Sequence, residues 1–384
     1  MPSARPFLCG FAFAALFASQ LHAADPQELH VYFGTYTQGT ESKGIYHARL
    51  NLASGELSKP EPVAEAVNPS FLAIHPQEKY LYAVNEIHDY EGKPTGGVTA
   101  FELDKATGKL TKINSQPAGG TGPCHLNVDR TGNVLLVANY GGGSVASFKI
   151  EPNGGLTAAV SFIQHTGSSA DAGRQKEPHA HSVNIDPANR FAFVADLGLD
   201  KVLVYKLDAD RATLFPNDPP STHVDPGSGP RHFAFRPDGR FAYVINEMKS
   251  TITALQYHPA IGTLGAFQSV STLPADFTGG NSTAEIVVHP SGKFLYGSNR
   301  GHNSLAIFQI DPKNGTLTAS GHQLTGGRTP RNFAIDPTGQ FLIAENQDSD
   351  NVQVFRIGEA GALTAVGGLI SIPKPVCARF VSVK

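Results

Sequence analysis

The chain has 384 residues, 40% of them apolar and only 16% charged, with 30 basic against 33 acidic side chains and a net charge of −3. That apolar content excludes a disordered chain, and the charge balance argues against a nucleic-acid binder, which needs a basic excess or stripe. Forty Gly and 27 Pro without a triplet period, against two Met and no Trp, point to many turns and an all-β chain.

The first element is not part of the fold. Arg5 precedes an apolar run from Phe7 to Ala18, and Leu21-His22-Ala23 offers a small residue before a cut. Residues 1–23 read as a secretory signal peptide. The run is short for an uncleaved anchor, which needs about 20 apolar residues, and no later segment is apolar enough to span. An exported protein, periplasmic or secreted, is expected, with residues 24–384 forming a single domain.

From Val31 onward one strand-like segment recurs. It reads Val31-Tyr32-Phe33-Gly34-Thr35, Leu81-Tyr82-Ala83-Val84-Asn85, Leu135-Leu136-Val137-Ala138-Asn139, Ala192-Phe193-Val194-Ala195-Asp196, Ala242-Tyr243-Val244-Ile245-Asn246, Leu295-Tyr296-Gly297-Ser298-Asn299 and Leu342-Ile343-Ala344-Glu345-Asn346. Its second positions step by 50, 54, 57, 50, 53 and 47 residues. A second segment precedes most copies, as in His181-Ser182-Val183 and His232-Phe233-Ala234, and a Pro-containing turn such as Asp186-Pro187 or His289-Pro290 follows it. A third segment comes after a glycine or polar loop, and a turn such as Lys313-Asn314-Gly315 leads to a fourth. A period near 50 with four short strands is the signature of propeller blades, and alternating polarity with such turns fits antiparallel meanders.

The ends carry the closing argument. The chain enters at Val31 on a second segment and finishes with a first segment, Cys377-Ala378-Arg379-Phe380-Val381. The last strand should therefore complete the blade that the first strands begin, giving a seven-bladed β-propeller with no free edge at the join. Two stacked sandwiches would explain neither the period nor the offset ends. Cys124 and Cys377 then fall two blades apart, too far for a disulfide.

In such a ring the start of each first strand and the end of each second strand share one mouth. First-strand starts carry His125, His179, His181, Arg231, His232, Glu285, Arg331 and Asn332; second-strand ends carry Asn85, Glu86, Asn139, Tyr140, Asp196, Asn246, Glu247, Asn299, Arg300, Asn346 and Gln347. Arginines supply fixed donor forks suited to a polyhydroxylated or anionic ligand. The recurring Asn are equally suited to tying turn backbone, His75 and His289 read as turn residues, and Glu86 as a loop cap. Arg231 and Arg300 need more partners than Glu247 alone offers and are expected to touch ligand. His179 and His181, two apart on a strand and facing one side, are half a metal site without a third His or an acidic loop, so no metal is expected. Walker, dinucleotide, nucleophile-elbow and zinc spacings are absent, so no cofactor is expected either.

Tyr32-Phe33-Gly34-Thr35-Tyr36-Thr37, Pro178-His179-Ala180-His181-Ser182, Gly229-Pro230-Arg231-His232, Val244-Ile245-Asn246-Glu247, Ala284-Glu285-Ile286, Ser298-Asn299-Arg300-Gly301 and Thr329-Pro330-Arg331-Asn332-Phe333 resemble the seven-bladed propeller lactonase family. That family includes bacterial 6-phosphogluconolactonases and fungal carboxymuconate lactonising enzymes. The resemblance covers essentially the whole mature chain. It implies catalytic roles for His181, Arg231, Glu247 and Arg300 and no essential metal; Glu86, His179, Glu285 and Arg331 are expected to bind substrate around them. A small sugar lactone is the implied partner, with no nucleic acid and no membrane span once the leader is removed. Export favours an unphosphorylated aldonolactone, with gluconolactonase the specific expectation and 6-phosphogluconolactonase the alternative. A non-catalytic exported propeller that binds sugar or protein is the reading from another class; it calls for exposed rim aromatics, and the chain has no Trp.

Overall fold

The computed structural model describes residues 1–3 and 28–383. The expected leader, apart from residues 1–3, lies outside the described residues. Among the described residues twenty-eight strands form seven four-stranded antiparallel sheets. Blade one combines β28 (Pro375–Ser382) with β1 (Glu28–Thr35), β2 (Gly44–Asn51) and β3 (Glu61–Glu65). Blades two to seven are β4–β7 (72–117), β8–β11 (123–164), β12–β15 (180–223), β16–β19 (230–271), β20–β23 (283–324) and β24–β27 (330–371). The first strands β4, β8, β12, β16, β20, β24 and β28 touch one another in a closed circuit and so line the axis. The expected closure is present: β28 pairs antiparallel with β1 from Leu29↔Ser382 to Gly34↔Cys377. No helix of the described residues is long and apolar enough to cross a membrane.

Burial departs from simple alternation where blades stack. The second strands β9 (Val134–Asn139), β13 (Phe191–Asp196), β17 (Phe241–Asn246) and β25 (Phe341–Asn346) are buried at every position. Each is covered by a neighbouring blade on both faces, which selects a continuous apolar run. The outer strands stay mostly exposed, as in β11 (Leu156–Gln164). A repeated tie joins successive blades: the hydroxyls of Tyr32, Tyr82, Tyr243 and Tyr296 donate to the carbonyls of Gly108, Gly154, Gly315 and Gly361 in the next blade's outer hairpin. Gly315 has φ +74, and a Cβ there would come within 2.5 Å of the Phe241 ring, so the turn needs glycine.

The recurring Asn are structural. Asn85, Asn139, Asn299 and Asn346 donate their side-chain amides to the carbonyls of Val67, Ala118, Thr272 and Thr325, where the chain arrives from the preceding blade. His75 and His289 bond the turn carbonyls of Gly132 and Gly339. Cys124 and Cys377 are buried, free thiols two blades apart.

Candidate active site

Two backbone registers, repeated around the ring, build the mouth. The residue after each second strand bonds back to the segment that enters the inner strand. Glu86 N–H donates to Asn68, Tyr140 to Gly122, Glu247 to Gly229 and Arg300 to Ser282, at 2.7–3.0 Å. Tyr36 holds the same place in blade one through Lys374. The second register is a bulge. In β16 (Pro230–Phe235), Pro230 pairs with Asn246 and His232 with Ile245, leaving Arg231 as the extra residue. The same irregularity falls at Cys124 in β8 (Pro123–Val128), His181 in β12 (Ala180–Ile185) and Arg331 in β24 (Pro330–Ile335). Bulges re-aim side chains. Here the bulge lets two consecutive residues, such as Arg231 and His232, both face the axis, which regular pleating forbids.

These registers converge on Glu247. Its Oε2 accepts from Arg231 Nε at 3.0 Å and pairs with Arg300 Nη2 at 2.9 Å, and its Oε1 accepts from Arg174 Nη2 at 2.9 Å. His181 Nε2 stands 4.0 Å from Oε2. Burial would push the Glu247 carboxyl up, but Arg300, Arg231 and Arg174 hold it down to about 2. It is therefore ionised at any working pH. Burial, with Arg231 and Arg331 adding to it, brings Arg300 down to about 10 against the pull of Glu247, and Arg300 Nε is buried without a hydrogen-bond partner. Burial, then the charge of Arg231, push the His181 imidazole well below its usual range, so it is neutral.

The other half of the mouth is built on Glu86 and Arg331. Glu86 Oε2 accepts from the Tyr36 hydroxyl at 2.9 Å and from Ser70 Oγ. The Arg331 guanidinium lies 5.4 Å from the centre of the Tyr36 ring and makes no hydrogen bond or salt bridge among the described residues. Tyr36, Glu86, Cys124, His181, Arg231 and Arg331 line one narrow cleft. Burial pushes the Cys124 thiol up, which leaves it protonated and a poor nucleophile.

Of the residues singled out in the sequence, His181, Arg231, Glu247 and Arg300 come together, and Glu86 and Arg331 line the cleft with His181 and Arg231. His179 sits at the rim, stacked on Tyr140 at 4.6 Å with Nδ1 bonded to the Tyr140 carbonyl at 3.0 Å. One expectation is corrected. Glu285 does not face the cleft. It lies one layer deeper, bonded to His232 and Asn332 and lining a separate cavity below, because β20 (Thr283–Val288) shifts register across both Ala284 and Glu285. Glu247 reaches both Arg231 and Arg300 through one oxygen, and each arginine takes a further acceptor as expected, the carbonyls of Ala284 and Thr283 at 2.8 Å; a third arginine adds to the charge. That third one, Arg174, was missed. It belongs to the long connection after β11 and also bonds the Tyr140 hydroxyl at 3.1 Å. The one available signal was the 57-residue step, the longest in the repeat.

The mouth thus sets four guanidiniums against two carboxylates, with a neutral imidazole between them. Such an arrangement can bind the oxygens of a ligand and can stabilise negative charge that develops on them.

The chain matches a family model described as lactonase, 7-bladed beta-propeller, over residues 30–380. It is 38% identical to the 6-phosphogluconolactonase of Bacillus subtilis (strain 168), over 91% of this chain and 97% of that one. Among solved structures, a putative 6-phosphogluconolactonase from Bacteroides fragilis superposes with a TM-score of 0.86 at 38% identity, covering 94% of this chain and 99% of that chain. The periplasmic gluconolactonase of Pseudomonas aeruginosa superposes with a TM-score of 0.87 at 33% identity, covering 93% and 100%.

Proposed function

The chain belongs to the seven-bladed β-propeller lactonase family, and we propose that it hydrolyses an unphosphorylated aldonolactone, glucono-1,5-lactone to gluconate, in the periplasm. The observation that carries the chemistry is the Arg331 guanidinium, unpaired at the cleft beside Arg231. Water adding to a lactone carbonyl creates an oxyanion, and a preorganised guanidinium stabilises that charge more than the neutral ground state. Arg231 and Arg300 flank it, and His181 meets the sugar hydroxyls. Glu247, held near 2, is too weak a base for water; it keeps the arginines aligned.

Compartment carries the choice of lactone. The stretch from Phe7 to Ala18 reads as an export signal, and the Pseudomonas aeruginosa relative is a periplasmic gluconolactonase. A second reading, the 6-phosphate of the same lactone, is favoured by the cationic excess at the mouth and by the relatives named 6-phosphogluconolactonase. Glu86 and Glu247 do little to repel a phosphate, since both are already bonded within the protein.

The test is lactonase turnover above the spontaneous background in wild type, Arg231→Ala and Arg331→Ala. Each variant is expected to lower kcat/KM at least about tenfold, a floor set below the roughly 10²–10³-fold cost of losing an oxyanion donor. Arg331→Ala should also melt close to wild type, because it breaks no hydrogen bond. Near-wild-type turnover in both variants contradicts the assignment.

A further inference from the structure

Directly beneath the cleft, His232 is held as a catalytic imidazole would be. Its Nδ1 lies 2.8 Å from Glu285 Oε1. That oxygen also accepts the Ile286 N–H at 2.9 Å, and Oε2 accepts the Asn332 amide. The Asn332 amide is oriented in turn, because its Oδ1 takes the Ala378 N–H at 3.4 Å. Burial pushes the Glu285 carboxyl up against the pull of Arg379; in its ionised form it accepts all three bonds, so that Nδ1 carries the proton and Nε2 presents a lone pair. Nε2 has no hydrogen-bond partner among the described residues. Three rings fix the imidazole edge-on: His125 at 5.2 Å, His181 at 5.4 Å and Phe71 at 5.6 Å.

His232 and Phe71 line both the substrate cleft and a cavity of about 460 Å³ below it, on the axial channel towards the opposite mouth of the ring. Arg379, Glu285, Asn127 and Asn184 supply that cavity's polar wall. His181 lacks such an orienter: its Nδ1 faces the Cys124 sulfur at 3.6 Å and its Nε2 is 4.0 Å from Glu247.

We infer that His232, positioned by Glu285, is the general base, and that the attacking water reaches it from the lower cavity while the lactone enters from the arginine-lined mouth. The inference rests on the lactonase reading above. Nε2 takes a proton from water as the water oxygen bonds to the carbonyl carbon and the carbonyl π pair moves onto oxygen. The carbonyl then re-forms, the ring C–O bond breaks, and the imidazolium returns the proton to the departing ring oxygen. The acid product ionises to its carboxylate and releases one proton to solvent. Glu285 stabilises the transient imidazolium across the 2.8 Å bond.

The experiment follows kcat and KM on glucono-1,5-lactone for His232→Ala, His232→Gln and Glu285→Gln, with melting curves, and repeats His232→Ala in added imidazole. Both His232 variants should lose about 10²–10⁴-fold in kcat, the usual worth of a general base. Imidazole should restore at least about tenfold of that in His232→Ala, since a base is replaceable and a packing contact is not. Glu285→Gln should lower kcat about tenfold or more with KM within about twofold, the pattern of a positioning residue. A kcat within about threefold of wild type in either His232 variant overturns the inference, and so does His232→Ala that folds but gains nothing from imidazole; should Ala not fold, Gln alone decides. A wild type without turnover on any lactone would instead sink the reading on which the inference stands.

Discussion

Three guanidiniums gathered on one carboxylate hold together only while that carboxylate is ionised. Glu247 meets the condition because the charges of Arg300, Arg231 and Arg174 outweigh its burial and hold it near 2, against 4.5 for a free glutamate. A folded-state value below the unfolded one stabilises the fold above pH 4.5, and that stability is lost as pH falls from there towards 2. Removing the charge leaves Arg231 and Arg300 buried and uncompensated, a loss of about 3–5 kcal/mol by analogy with broken buried pairs; Arg174 adds little, being half exposed. Glu247→Gln is therefore expected to melt well below wild type at pH 6, with the gap closing as both are taken towards pH 3. A gap that stays constant with pH contradicts the counter-ion role.

At the scale of elements, the strands were legible because each blade repeats the same apolar second segment, and the mouth was legible because polar residues recur at its two strand ends. The bulge was not. It is a property of pairing register, and Pro230-Arg231-His232 gives no sign in one dimension that both Arg231 and His232 turn inward. The same shift misplaced Glu285 by one layer. Arg174 was invisible for another reason: its connection has no period to read, so only its length marked it. Element β25 raises a separate matter. Glu345 is fully buried with neither carboxyl oxygen hydrogen-bonded, where the other second strands carry Gly34, Val84, Ala138, Ala195, Ile245 and Ser298. Nothing in the structure explains its presence. Burial pushes its carboxyl well above 4.5 against the pull of Arg379, so it stays protonated when folded but ionises when unfolded. That favours unfolding increasingly as pH rises above 4.5. Glu345→Met, of similar volume, should raise Tm, and by more at pH 8 than at pH 5; an equal or reversed effect would show that the carboxyl has a partner.

For the whole molecule, ring closure by β28 does more than remove an edge. It seats Val376, Ala378 and Arg379 on the axis, so β28 supplies the Ala378 N–H that orients Asn332 and the Arg379 charge beside Glu285 and Glu345. The propeller then acts as a sleeve between two compartments of different character. One mouth is cationic and narrow, and the other opens on a cavity of mixed polar and apolar walls with a single guanidinium, that of Arg379, among its described lining residues. Four guanidiniums against two carboxylates would also accept a phosphorylated ligand, so residue chemistry alone leaves substrate to be decided by rate. The decisive measurement is a pH-stat comparison of kcat/KM, above the spontaneous rate, on glucono-1,5-lactone and on its 6-phosphate with the purified protein. Faster turnover of the unphosphorylated lactone is expected; a strong preference for the phosphate would overturn the assignment of an unphosphorylated substrate.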